Sequence, residues 1–171
     1  MVIVLMGPMG CGKTTVGKIL SQRMRIKFID SDDYHPPENI EKMARGIALN
    51  DRDRYPWLTR LKAIIDTALD EEKSIILACS ALKKSYRKTL GVDQKRVITV
   101  YLKGDMALLE ERVAARSHQY MNNSLLASQL ATLEEPTDGI TVSIAGTPEA
   151  TAEAIVSHLN GVGACTPSTH E

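Results

Sequence analysis

The sequence predicts an α/β protein with a central parallel sheet and helices on both faces. Three observations carry that prediction. Strand-like and helix-like patterns alternate along the chain, and such alternation builds parallel sheets through crossover helices. The first strand candidate, Val2-Ile3-Val4-Leu5-Met6, is an unbroken apolar run, as expected of a strand buried on both faces. Directly behind it stands Gly7-Pro8-Met9-Gly10-Cys11-Gly12-Lys13-Thr14. This run matches G-x-x-x-x-G-K-[ST] between a strand and a helix, the context in which that loop wraps nucleotide phosphates.

The elements follow in order. A helix is expected from about Lys13 to Met24, with Val16, Ile19, Leu20 and Met24 on one stripe and Lys18, Gln22 and Arg25 outside. A short strand at Lys27–Ile29 leads into Asp30-Ser31-Asp32-Asp33-Tyr34-His35. Pro36 and Pro37 open a helix to about Arg45, stopped by Gly46. Ile47–Asp53 reads as loop, and the next helix takes Pro56 in its first turn and continues through Leu58, Leu61, Ile64, Ile65, Ala68 and Leu69. Further strands are expected at Ser74–Cys79, Val97–Leu102 and Ile140–Ile144. Further helices are expected at Lys83–Leu90, Asp105–Arg116 with Asp105 as cap, Ser124–Leu133 and Pro148–Leu159. The reading is one domain over residues 1–160. The tail Gly161–Glu171, with almost no large apolar residue, is expected to be disordered.

Composition narrows the class. The 171 residues suit one compact α/β domain. Lys+Arg and Asp+Glu are both 21, so the basic excess expected of a nucleic-acid or membrane surface is missing. One Trp, five Tyr and one Phe are too sparse for a base-stacking platform. The apolar start is too short for a signal peptide or a membrane span. Cys11, Cys79 and Cys165 lie far apart, with neither metal spacing nor a disulfide framework. That fits a reducing cytoplasm.

The loop sets the chemistry to look for. Gly7, Gly10 and Gly12 let backbone N–H groups turn toward phosphate oxygens, and Cys11, Lys13, Thr14 and Thr15 complete the expected nucleotide-binding set. Lys13 can reach β- and γ-phosphates, and the Thr14 hydroxyl can hold Mg²⁺. Phosphoryl transfer also needs a carboxylate near the acceptor hydroxyl and cations for the developing charge. Asp30, Asp32 and Asp33 follow the second strand, where ligands bind in open parallel sheets. If the backbone stays extended, Asp30 and Asp32 share one side; the alternative is a solvated acidic loop. Arg54, within Asn50-Asp51-Arg52-Asp53-Arg54, is either an anchor for an anionic substrate or part of a charge run that caps a helix through Asp53. Ser80 and Lys83 could meet phosphate or carboxylate, or simply start a basic helix. Arg112 and Arg116 stand i, i+4 before a polar stretch, as lid arginines or as charges complementing a helix dipole. His35 and His118 are isolated and read as hydrogen-bonding or surface residues rather than metal ligands. Cys79-Ser80 stands where ATPases and GTPases usually place a metal-binding Asp, and no Asn-Lys-x-Asp element occurs. A GTPase switch is therefore excluded.

Longer blocks carry a resemblance. Asp30-Ser31-Asp32-Asp33-Tyr34-His35-Pro36-Pro37-Glu38-Asn39, then Lys42-Met43, Gly46 and Leu49-Asn50-Asp51-Arg52-Asp53-Arg54-Tyr55-Pro56-Trp57-Leu58, closely resemble the gluconokinase family. So do Cys79-Ser80-Ala81-Leu82-Lys83-Lys84-Ser85-Tyr86-Arg87 and Ser128-Gln129 with Thr132-Leu133-Glu134 and Pro136. The resemblance implies a three-layer α/β/α P-loop kinase fold with a central parallel sheet and a helical lid at about 116–136. It implies ATP and Mg²⁺ as cofactors, D-gluconate as substrate, 6-phospho-D-gluconate and ADP as products, and often a homodimer. On this chain it makes Asp32 the base that orients the hydroxyl. It places His35, Arg54, Lys83 and Arg87 in the substrate pocket, with Asp32. It makes Arg112 and Arg116 lid residues, Arg112 on the nucleotide and Arg116 with Lys13 in catalysis. Other readings are a shikimate-like or nucleoside-monophosphate-like kinase, or a module that only binds nucleotide. Cys11 replaces the family's usual Ser and is expected to be open to alkylation. His118-Gln119-Tyr120 replaces the usual Gly-His-Phe of the lid.

Overall fold

The computed structural model describes residues 1–116 and 123–161. The strands are β1 (Val2–Met6), β2 (Lys27–Asp30), β3 (Ile75–Ala78), β4 (Val97–Lys103) and β5 (Ile140–Ser143). The helices are α1 (Lys13–Met24), α2 (Pro37–Ala44), α3 (Asp51–Asp70), α4 (Lys84–Thr89), α5 (Met106–Ala115), α6 (Asn123–Thr132) and α7 (Pro148–Gly161). All pairings are parallel and the strand order is β2-β3-β1-β4-β5.

Side chains alternate across β1, and this alternation builds three layers. Val2, Val4 and Met6 face a core with Trp57, Leu58, Leu61 and Ile65 of α3 and Tyr86 of α4. Ile3 and Leu5 face the other core, with Val16 and Leu20 of α1, Leu109 and Val113 of α5, Leu126 of α6 and Ile155 of α7. Each such side chain contributes about 1.5–3 kcal/mol when fully buried. In register, Val4 lies opposite Leu77 on one side and Thr99 on the other. The connection from β1 runs past β3 to β2, whereas the connection from β3 runs over β1 to β4 on its other side, so a crevice opens at the carboxyl end of β1, where α/β sheets bind ligands. The Gly7–Thr14 loop occupies that crevice.

Most expected boundaries hold within one or two residues, but two segments differ. The Ile47–Asp53 stretch is not all loop, because α3 already starts at Asp51. Asn50, not Asp53, is the cap. Its Oδ1 accepts from the Asp53 N–H at 2.8 Å, while Asp53 Oδ2 accepts from the Asn50 N–H at 2.9 Å. This reciprocal capping box wins because Asn50 finds a carboxylate three residues on. Pro56 therefore lies inside the helix and forfeits one backbone bond toward Arg52. The second difference follows β2. The backbone does not stay extended through Asp32; Ser31–Tyr34 forms a 3₁₀ turn, with Asp30 Oδ1 accepting from the Asp32 N–H at 3.1 Å. His118, Gln119 and Tyr120, expected in the lid, and the tail after Gly161, expected to be disordered, lie outside the described residues. No helix among the described residues is long and apolar enough to cross a membrane.

Candidate active site

The phosphate loop is held open from below. Gly12, the residue before α1, has φ 93° and ψ 19°, a left-handed conformation that strains any residue with a Cβ. No side chain caps α1, so its first-turn N–H groups face a ligand site. Gly10 has φ 81°, and a Cβ there would sit 3.0 Å from Val113 Cγ2 and 3.2 Å from the Leu109 carbonyl, so the loop is seated on α5. The Met9 N–H donates to Gln129 Oε1 of α6 at 2.7 Å, and the Gly7 N–H to the Ser80 carbonyl at 3.3 Å. Lys13 Nζ lies across the loop and donates to the Gly7 and Pro8 carbonyls at 2.9 and 3.1 Å.

Cys11 corrects one expectation. Its side chain is fully buried in the second core, not open to reagents. Cys79 is also fully buried, and burial pushes its thiol up to about 12. Thiols buried away from water and reagent are inert. In the native protein, labelling by a bulky maleimide with mass mapping is therefore expected to leave Cys11 and Cys79 unmodified. Rapid native labelling at either site would contradict their burial.

The acidic turn faces the loop. Thr14 Oγ1 donates to Asp30 Oδ2 at 2.8 Å, pairing two oxygens of the kind Mg²⁺ prefers. Among the described residues no group of three His, Cys, Asp or Glu side chains could hold a metal alone. A site completed by nucleotide phosphates and water fits that sparse donor set. Asp30 was absent from the expected metal set, although its place at the end of β2 marked it. The Asp32 carboxyl is held above its ordinary value, first by burial among the cleft walls, then by Asp30 and Asp33, with Lys13 opposing. Its side chain is 81% exposed to the cleft, so water moderates the effect.

A cavity of about 350 Å³ runs from Lys13 and Thr14 past Asp30, Asp32 and Ser80 to His35 and Arg54, with Met43, Leu49, Trp57, Leu125 and Gln129 among its walls. The His35 ring stacks on Trp57 with centroids 4.3 Å apart. Trp57 Nε1 is pinned by donating to the Ser31 carbonyl at 2.8 Å. Burial, then the Arg54 charge, lowers His35 to about 4, so its ring is neutral at physiological pH. The unfolded chain binds more protons than the folded chain between about pH 6.5 and 4, so stability rises with pH there and is lost as pH falls. The full window is worth about 3 kcal/mol. Acid melts of the wild type and His35→Gln test this: the variant is expected to lose much of the slope, and an identical slope would refute the assignment.

Arg54 is only 8% exposed. Its Nη1 donates to the Tyr86 hydroxyl at 3.2 Å, and its guanidinium lies 5.5 Å from the Tyr86 ring centre. Tyr86 in turn donates to Asp51 Oδ1, which also accepts from Lys83 Nζ at 3.0 Å. Among the described residues Arg54 has no carboxylate within ion-pair distance. Among the described residues no fully buried side-chain nitrogen or oxygen lacks a partner, and Arg54 is part of the cleft wall. A buried guanidinium that feels Asp51 and Asp53 only at a distance, without a direct ion pair, is a site for an anion.

The other candidates are placed as follows. Arg116 lines this cavity and a neighbouring one of about 270 Å³, which also contains Cys11, Thr15, Arg112, Gly146 and Pro148. Arg112 Nη2 donates to the Ile144 carbonyl at 2.8 Å. That second cavity flanks the loop at Gly12 and Thr15. Lys83 and Arg87 do not line the cleft. Lys83 is tied to Asp51 at the rim. Arg87 is buried, with Nη1 donating to the Ala81 and Leu82 carbonyls at 3.0 and 3.1 Å. It holds a turn in which Ala81 has φ 43°, a costly conformation for alanine. That turn presents Ser80 to the cleft.

Fold and site together define a P-loop phosphotransferase for a small acceptor. A family model described as shikimate kinase matches residues 9–160. A probable gluconokinase of Schizosaccharomyces pombe is 40% identical over 162 residues, covering 89% of this chain and 84% of that protein. The thermoresistant gluconokinase of Escherichia coli is 40% identical over 147 residues, covering 84% of each. The crystal structure of a gluconokinase from Sinorhizobium meliloti superposes with a TM-score of 0.81 at 36% identity, over 94% of this chain and 92% of that one. The chain belongs to the gluconokinase family, on the shikimate kinase type of P-loop fold.

Proposed function

We propose that the protein transfers the γ-phosphoryl group of ATP to the 6-hydroxyl of D-gluconate, giving 6-phospho-D-gluconate and ADP. The observation that carries this reading is Arg54, a buried cation without a carboxylate partner, in one cleft with Asp32 and the phosphate loop. A sugar acid supplies what this cleft asks for: a carboxylate for Arg54 at one end and a hydroxyl for Asp32 near the γ-phosphate. The names of the relatives point the same way.

In this reading the loop N–H groups and Lys13 hold the β- and γ-phosphates. Thr14 and Asp30 would hold Mg²⁺, which would supply positive charge to the phosphates. Asp32 accepts the hydroxyl proton as the oxygen–phosphorus bond forms, and the bond to the ADP oxygen breaks in line. Arg116, shared by the two cavities, stabilises the charge that moves onto the leaving phosphate. A cytoplasmic location goes with ATP as donor.

A coupled ADP-release assay across D-gluconate, shikimate, AMP and adenylyl sulfate tests the assignment. Turnover is expected with gluconate and not with the others. Turnover with another acceptor, and none with gluconate, would overturn it.

A further inference from the structure

Asn39 of α2 is 3% exposed, and its carboxamide is spent on two contacts. Its Nδ2 lies 2.9 Å from the Asp53 carbonyl and 3.2 Å from His35 Nδ1. The carbonyl can only accept, which fixes the Asn39 atom as nitrogen. The His35 Nδ1 beside that donor must then be the accepting nitrogen. A neutral imidazole with an accepting Nδ1 carries its hydrogen on Nε2. Stacking on Trp57, itself anchored to the Ser31 carbonyl, fixes the plane of the ring, and a half-turn within that plane would set Cδ2–H against the buried Asn39 N–H and leave that donor unpaired.

His35 Nε2 lies 3.9 Å from Asp32 Oδ1. That separation is too long for a direct hydrogen bond, but one oxygen can stand about 2.8 Å from both atoms. We infer that Asn39 locks His35 as the Nε2–H tautomer, so that His35 and Asp32 read a single acceptor hydroxyl from both sides. His35 donates to the hydroxyl oxygen, and Asp32 accepts its proton. Only a group that is both donor and acceptor satisfies this pair. A phosphate oxyanion has no proton for Asp32, and an ammonium has no lone pair for His35. Asn39 is thus a positioning residue that makes the pocket select an alcohol. The inference rests on the proposed kinase reading for its substrate, but not for its tautomer.

The test begins with a two-bond ¹H–¹⁵N spectrum of the imidazole rings of the wild-type protein at neutral pH, with His35 assigned from its loss in His35→Gln. Nδ1 is expected to resonate as an unprotonated nitrogen and Nε2 as a protonated one. The reverse pattern overturns the inference, whatever the activity. Asn39→Asp presents an acceptor to Nδ1 and is expected to move the proton there. With it, kcat/KM for gluconate should fall by about tenfold or more, as a lost hydrogen bond and a buried mismatch require, with KM for ATP unchanged. His35→Gln keeps an amide donor at the Nε2 position and has no tautomer to lose. In that background, Asn39→Asp should cost little further. Proton relocation without any change in gluconate kinetics, or an equal cost in both backgrounds, overturns the selection role. Failure of the kinase reading is distinguishable: gluconate would not turn over, while the wild-type spectrum still decides the tautomer.

Discussion

Asp32→Asn is expected to lower kcat by about 10²- to 10⁴-fold, the usual contribution of a placed general base. The substitution keeps shape and removes the proton acceptor. Because the carboxylate matters when the hydroxyl loses its proton, KM for gluconate should change little. The pH profile adds a second signature. The Asp32 carboxyl is raised by burial and by its neighbours Asp30 and Asp33, against Lys13. Wild-type kcat should therefore fall on acidification as Asp32 takes up a proton, at a pH higher than for an unperturbed aspartate. The Asn variant should lack that limb. Steady-state kinetics across pH decide both points. An unchanged kcat would remove Asp32 from the chemistry and leave it as a wall of the cleft.

Arg54→Met is expected to raise KM for gluconate by about 10- to 100-fold, the loss of charge-assisted hydrogen bonds to one anion. Arg54→Lys should fall between, since it keeps the charge but loses the two-pronged grip. The effect on stability should run the other way. Arg54 is buried without a carboxylate, and its contact in the wall is the Tyr86 hydroxyl. Tyr86 keeps its bond to Asp51 when Arg54 is gone. Replacing a buried cation that has no direct ion pair by an apolar side chain should hold Tm or raise it. A thermal melt beside the kinetics therefore separates two roles. Weaker gluconate binding with an equal or higher Tm supports a functional anchor. A lower Tm with unchanged KM would make Arg54 a structural residue.

Much of the fold was readable because buried parallel strands announce themselves. Val2–Met6 and Ile75–Ala78 are continuous apolar runs, and the helices between them carry a clear stripe. The start of α3 was misread because Asn50 and Asp53 are both good caps, and only their reciprocal bonding selects Asn50. The path from Asp30 to Asp32 was misread because a side chain bonding its own backbone turns the chain where the strand pattern would continue. In the site, Lys13, Thr14, Asp32, His35 and Arg54 do converge on one cavity. Lys83 and Arg87 show what a linear reading cannot sort. Both are basic and close to the site in sequence, yet one is paired at the rim and the other supports a turn from behind. Trp57 and Gln129 stand in the blocks that carry the family resemblance but suggest no role of their own, because a core aromatic and a helical glutamine look ordinary until a ring is stacked or a loop N–H is held. Cys11 stands in a loop that meets solvent, and only the packing against Gly7 and the second core shows its thiol turned inward.

The central claim is spatial: an acceptor acid bridges Arg54 and Asp32, with its terminal hydroxyl toward the nucleotide. A crystal structure with a non-hydrolysable ATP analogue, Mg²⁺ and D-gluconate measures this directly. The account predicts the gluconate carboxylate on the Arg54 guanidinium and the 6-hydroxyl within hydrogen-bond reach of Asp32, in line with the γ-phosphorus. Gluconate bound in the opposite direction, or outside the cleft between Arg54 and the phosphate loop, would contradict it.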